Sequence, residues 1–183
     1  MKVLLVAFVA LVSSQTFATQ NLKLSNFVGR YDLEQNLNGF CPSAITVEIT
    51  TFLNQTAKQS LNLFCSSMED CTRIETDENG YQTHIIDNLV YQFPHINTGL
   101  QSDLETNPMT GMAMGYRNSL QSLKGNVLSA IDSNRTLFGV VNWKNTFDGK
   151  LENGIFSFKK TSYNILSGKV VTSESECVYK KVE

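Results

Sequence analysis

Proline is scarce in this chain, with three residues in 183. There is also no low-complexity tract and no long run of like charge. Together these absences argue against a disordered tail or linker and suit ordered strands and turns. A basic stripe is missing too. Formal net charge is −2, which excludes the electrostatic footprint that nucleic acid requires. No Gly-x-Ser-x-Gly elbow is present. Only two histidines occur, His84 and His95, and neither sits in a motif with a partner, so both read as surface or satisfied imidazoles. Asp32, Glu34 and Glu48 fall on polar faces as solvated carboxylates. The chain therefore reads as non-enzymatic, with no catalytic residue and no cofactor, a hydrolase without a recognisable motif being the alternative. A membrane span needs roughly 20 apolar residues, and no run of that length is found.

What is present begins with an export signal. Met1-Lys2 is a short positive start, Leu4–Val12 is an unbroken apolar run, and Thr16-Phe17-Ala18 places small residues where a signal peptidase reads. The first Cys is Cys41, so no lipoprotein cysteine stands at the cleavage point. Residues 1–18 are read as a signal peptide and 19–183 as one domain, secreted or periplasmic. A domain of about 150 residues is large enough to bury a real core. The sequence does not specify an oligomeric state.

All four cysteines lie in the exported part. An even count in an oxidising compartment implies two disulfides, for which three connectivities exist. The favoured set is Cys65–Cys71, closing a short polar loop, and Cys41–Cys177, tying the start of the domain to its last strand. Their spacing does not match the paired C-x-x-C of a thiolate metal site.

Period-two alternation runs through Ile45, Val47 and Ile49, continues at Leu61 and Leu63, and returns at Leu89, Tyr91 and Phe93. Each reads as a strand with one buried face. Asn79-Gly80, Asp148-Gly149 and Asn153-Gly154 read as tight turns. Leu137–Trp143, Ile155–Phe158, Tyr163–Thr172 and Cys177–Val182 supply further strand-forming residues. Tyr116, Leu120, Leu123, Val127 and Ile131 fit a helical spacing. Gly125 interrupts them at a cost of about 1 kcal/mol to a helix, so the segment is read as two strands broken near Gly125, with a helix as the alternative. The fold class is all-β: a single antiparallel up-and-down barrel, or, as the alternative, a sandwich. An outer-membrane barrel is disfavoured because Lys159, Lys160, Lys169, Lys180 and Lys181 interrupt both faces of the late strands.

Residues 26–34 read NFVGRYDLE, an apolar residue followed by Gly29-Arg30-Tyr31 at the opening of the first strand. This resembles the start of a lipocalin-type barrel, where the family carries Gly-x-Trp. The family's second motif, Thr-Asp-Tyr-like, and its late Arg partner are not found. The resemblance implies an up-and-down barrel with a cup for a small apolar molecule. Candidate lining residues are Tyr31, Tyr91, Phe93, Trp143, Phe156 and Phe158, which fill a core equally well. A structural or protein-interaction module is therefore the alternative function.

Met109, Met112 and Met114 stand close together in a Gly-containing stretch, NPMTGMAMG. Thioethers suit Cu(I), and His95 is a possible fourth ligand. The competing reading is a set of adaptable side chains over a barrel mouth or against a partner. Asn54-Gln55-Thr56 and Asn134-Arg135-Thr136 match the glycosylation triplet.

Overall fold

The computed structural model describes residues 23–51, 59–66, 71–76, 80, 82–86, 88–166 and 168–182. The expected export signal, Asn54 and Asn79 lie outside them. The described chain is all-β. A 3-10 turn at Leu24–Asn26 leads into twelve strands: β1 (Gly29–Asn38), β2 (Ala44–Thr51), β3 (Gln59–Cys65), β4 (Thr72–Thr76), β5 (Gln82–Ile86), β6 (Leu89–Phe93), β7 (Gln101–Thr106), β8 (Ala113–Lys124), β9 (Val127–Thr136), β10 (Val141–Glu152), β11 (Ile155–Asn164) and β12 (Val170–Val182). Ten of them form one antiparallel sheet in the order β6-β3-β2-β1-β12-β11-β10-β9-β8-β7, and β4 and β5 pair separately. Each strand of the large sheet lies beside its chain neighbour, apart from the β4–β5 excursion, and β1 pairs with β12. The sheet is open. Its two edges, β6 and β7, follow one another in sequence and do not pair.

The alternation read from the sequence places Ile45, Val47, Leu61, Leu63, Tyr91 and Phe93 on the inner face, buried with Phe147, Phe156, Phe158 and Tyr179. Their rings form a continuous chain of contacts. Tyr91 and Phe93 both reach Phe147, at 4.6 and 5.1 Å between centroids. The edge strand β6 thus touches the inner face of β10, so the sheet is strongly curled. Phe27 sits under this cluster, edge-on to Phe156, and its carbonyl accepts the Tyr31 hydroxyl at 2.7 Å. The Lys181 ammonium lies over the Tyr31 ring at 5.7 Å and donates to the Asn26 carbonyl. Both disulfides of the favoured set are formed, Cys41–Cys177 and Cys65–Cys71.

Four local expectations need correction or refinement. Asp148-Gly149 is not a turn: it lies inside β10. A Cβ on Gly149 would come within 2.8 Å of the Phe147 ring and 3.0 Å of Phe156, so the glycine makes room for the aromatic core. Leu137–Trp143 is not one strand. Gly139, at φ 80°, turns the chain and donates to the Thr136 carbonyl, and β10 starts only at Val141. Tyr163–Thr172 is likewise divided, by Lys169 and Gly168 at φ 61° and 90°. The segment around Gly125 is two strands, β8 and β9, joined where Gly125 adopts φ 59°. Asn153-Gly154 forms the expected turn, both residues at positive φ.

Candidate functional site

The inner face changes character along the sheet. Its lower part is the aromatic core. Higher up on β7 to β10 the inward positions are polar: Asp103, Arg117, Ser119, Gln121, Asp132 and Asn145 border a cavity of about 300 Å³. Tyr91, Gln92 and His95, from β6 and the segment after it, form the opposite wall with Lys160. The walls come from both sides of the unpaired β6–β7 gap. The cavity is thus bordered by both edges of the open sheet.

Gln121 governs how the two sides meet. It is buried on β8, and its side chain donates to the Gln92 carbonyl and accepts from the His95 backbone N–H. Asn97 completes the tie by exchanging bonds with Gln121 and Leu123. The chain leaving β6 is thereby fastened to the lower half of β8. It then turns and runs up the upper half of the same strand as β7, with Asp103 opposite Arg117.

Polar groups in the cup are unequally satisfied. Tyr91 donates its hydroxyl to Asp132 Oδ2, and both residues are buried. Burial and the neighbouring carboxylate hold the Tyr91 phenol far above its ordinary range, so it remains a donor. The Lys160 ammonium donates to the Val90 carbonyl at 3.1 Å. Among the described residues three buried side-chain atoms have no protein partner; His95 Nδ1 and Ser119 Oγ belong to residues that line the cup, and Asn142 Oδ1 lies outside it on β10. Such groups cost about 1–3 kcal/mol each unless something else bonds them. Ser119 lies opposite Asp132 in the β8–β9 register. Arg117 makes no side-chain hydrogen bond or ion pair with any described residue. Lys160 and Val90 also border a second, smaller cavity of about 190 Å³ with Phe40, Pro42 and Phe158. Ser173, Glu174 and Ser175 also line it, so this chamber is mixed in character.

Of the six aromatics proposed as ligand contacts, Tyr31, Phe93, Phe156 and Phe158 are buried among other rings. Tyr91 is the member that also presents a polar atom at the cup. Trp143 is half-buried high on β10 and belongs to neither group. Met109 and Met112 flank the β7–β8 loop, Met114 follows on β8, and all three are exposed. His95 lies against Gln121, seven residues along β8 from Met114, a separation of roughly 23 Å at the rise of a strand. His95 therefore belongs to the cup and not to the methionines. Among the described residues no group of three His, Cys, Asp or Glu side chains is placed to hold a metal. His84 lies in β5, opposite Ile74. Asn134, in the second glycosylation triplet, points its amide nitrogen at Glu105 on the inner face and accepts from Asn142.

Sequence reading missed Arg117, Ser119, Gln121 and Asp132. A signal for them exists: on β8 the large apolar residues Met114, Tyr116 and Leu120 are exposed while Ser119 and Gln121 are buried. That alternation is inverted relative to a core strand, and an inverted pattern marks a polar interior. Comparison with family models, with curated proteins and with solved structures finds no match.

Proposed function

We propose that this chain is an exported, non-enzymatic binding protein, a barrel split along one seam whose cup takes one small polar molecule. The observation that carries this reading is the pair of buried, unpartnered atoms, His95 Nδ1 and Ser119 Oγ, in the walls of one cavity. A buried polar atom demands a partner, and two such atoms around one space favour a ligand or ordered water that supplies both. Barrel architecture is supported by the contact of β6 with β10 and by the tie from Gln92 to Gln121. Two disulfides favour an oxidising compartment.

The site shifts the expected ligand from apolar toward polar. Thermal denaturation across a panel of small polar metabolites and a panel of fatty acids tests this. Stabilisation by polar compounds, lost in Ser119→Val, is the expected result. Stabilisation by fatty acids alone would overturn the polar cup and restore the apolar reading.

A second reading, a docking module, is favoured by one observation. The loops at the upper end of β7–β8, β9–β10 and β11–β12 carry exposed Met109, Met112, Leu137, Phe138 and Leu166. Phe138 is 95% exposed. The hairpin turns at the opposite end are polar, Gly125-Asn126 and Asn153-Gly154. Successive hairpins stand about 10 Å apart, two strand spacings, so these side chains line one rim. Sedimentation over a concentration series and co-flotation with phosphatidylcholine vesicles test end-on association, with Phe138→Ser as the variant that abolishes it. Absence of both associations would remove this reading.

A further inference from the structure

We infer that the ligand of the cup is a small zwitterion, its ammonium end on Asp132 and its carboxylate end on Arg117. This rests on the reading of the cup as a binding site and names the chemistry it selects. Among the described residues, two acidic and two basic side chains border the cavity: Asp103 and Asp132, Arg117 and Lys160. A site with no net charge and both signs present favours a partner with the same balance. The backbone positions of Asp132 and Arg117 are also offset. Asp132 faces Ser119 across β8–β9, and Arg117 is two residues further up β8, a step of about 7 Å. An α-amino acid spans about 2.5 Å from nitrogen to carboxyl carbon. Two charge-assisted hydrogen bonds of about 2.8 Å extend the reach to roughly 8 Å.

The bonding state of each group agrees. Tyr91 occupies Asp132 Oδ2 and leaves Oδ1 for another donor. Arg117 has its fork free of described partners, whereas Lys160 is engaged with the Val90 carbonyl. A guanidinium receives a carboxylate through two parallel bonds. Asp103, on edge strand β7, balances the net charge from the exposed side. His95 Nδ1 and Ser119 Oγ remain for neutral polar atoms of the ligand. An amine without a carboxylate leaves Arg117 unanswered, and a carboxylate without an amine meets Asp132 unscreened.

The test is calorimetric titration of the full disulfide-bonded chain with three series on the same skeletons: free α-amino acids of graded side-chain size, their methyl esters, and their N-acetyl derivatives. A fourth arm uses neutral polar molecules, monosaccharides and small amides. The expected result is that a free amino acid binds at least about ten-fold more tightly than its ester or its N-acetyl form, one charge-assisted bond's worth in each case. Arg117→Met should erase the preference over the ester, and Asp132→Asn the preference over the N-acetyl form. Arg117 is exposed, so its variant folds whatever the fate of the Asp132 variant. Esters, N-acetyl forms or neutral molecules binding as well as the free amino acids would overturn the zwitterion and leave the cup standing. Failure of all four arms would overturn the cup as well.

Discussion

Tyr91 and Asp132, 41 residues apart in sequence, are joined by a hydrogen bond across the cup, from phenol to carboxylate. The bond fastens an edge strand to β9 from inside the curl. Tyr91→Phe strands a buried carboxylate, and Asp132→Asn weakens the acceptor. Hydrogen bonds to charged groups contribute about 1.5–3 kcal/mol, and a double-mutant cycle in urea should return a coupling in that range. Additive losses would show that the two residues act independently.

Alkaline titration separates buried from exposed phenols. Burial pushes Tyr31 up to about 12, and Tyr91 lies higher still. For a group raised in the folded state, stability is fully present below the unfolded value near 10 and declines as pH climbs through the folded value. Phenolate absorbance should therefore show at least two of the six tyrosines silent until the protein unfolds. The midpoint of urea denaturation should fall steadily between about pH 10 and 12. Simultaneous ionisation of all six near pH 10, with the fold intact, would contradict the buried environment.

Gly149→Ala adds one methyl group between Phe147 and Phe156, where less than van der Waals distance is available. Overpacking of this kind costs about 1–3 kcal/mol. Gly154→Ala is a contrasting control. A Cβ there meets nothing within 4 Å, and only its positive φ is penalised. The Gly149 variant should be the one that loses near-ultraviolet aromatic circular dichroism.

The two disulfides should differ in weight. Loop-closure entropy for a separation of 136 residues is about 5 kcal/mol, against about 2 kcal/mol for a separation of six. Cys41→Ser/Cys177→Ser should lower the denaturation midpoint much further than Cys65→Ser/Cys71→Ser. An equal loss from each pair would mean that local geometry, not chain entropy, sets their contribution.

Much of the fold was legible because one physical signal repeats. Where a strand buries one face, apolar residues recur at every second position, as at Ile45, Val47 and Ile49. Gly125 was legible because a glycine in the middle of an apolar pattern penalises a helix and suits a turn. Asp148-Gly149 misled because a glycine serves two purposes, positive φ in a turn and missing volume beside an aromatic ring, and only the neighbours decide. The cup was illegible for a different reason. Its residues come from β6, β7, β8, β9, β10 and β11, and an orphan atom such as Ser119 Oγ is defined by surroundings that no local window contains. The helical spacing of Tyr116, Leu120 and Leu123 arose because Leu120 faces solvent while Leu123 packs against the core.

The pairing of β1 with β12 also has a consequence in time. The middle of the sheet joins β1 to β12, so it cannot exist before β12 has been synthesised. Hairpins from β7 to β11 can form as they emerge, and β1 to β3 can align beside one another. Until Val170–Val182 arrives the two halves share no strand pairing, and only the side-chain ties from β6 and the segment after it to β8, β9 and β10 link them. Cys65 and Cys71 can be oxidised early, six residues apart. Cys41 must wait for Cys177. The longer disulfide is in effect a timestamp: a chain in which it has closed has already been made as far as Cys177 in β12.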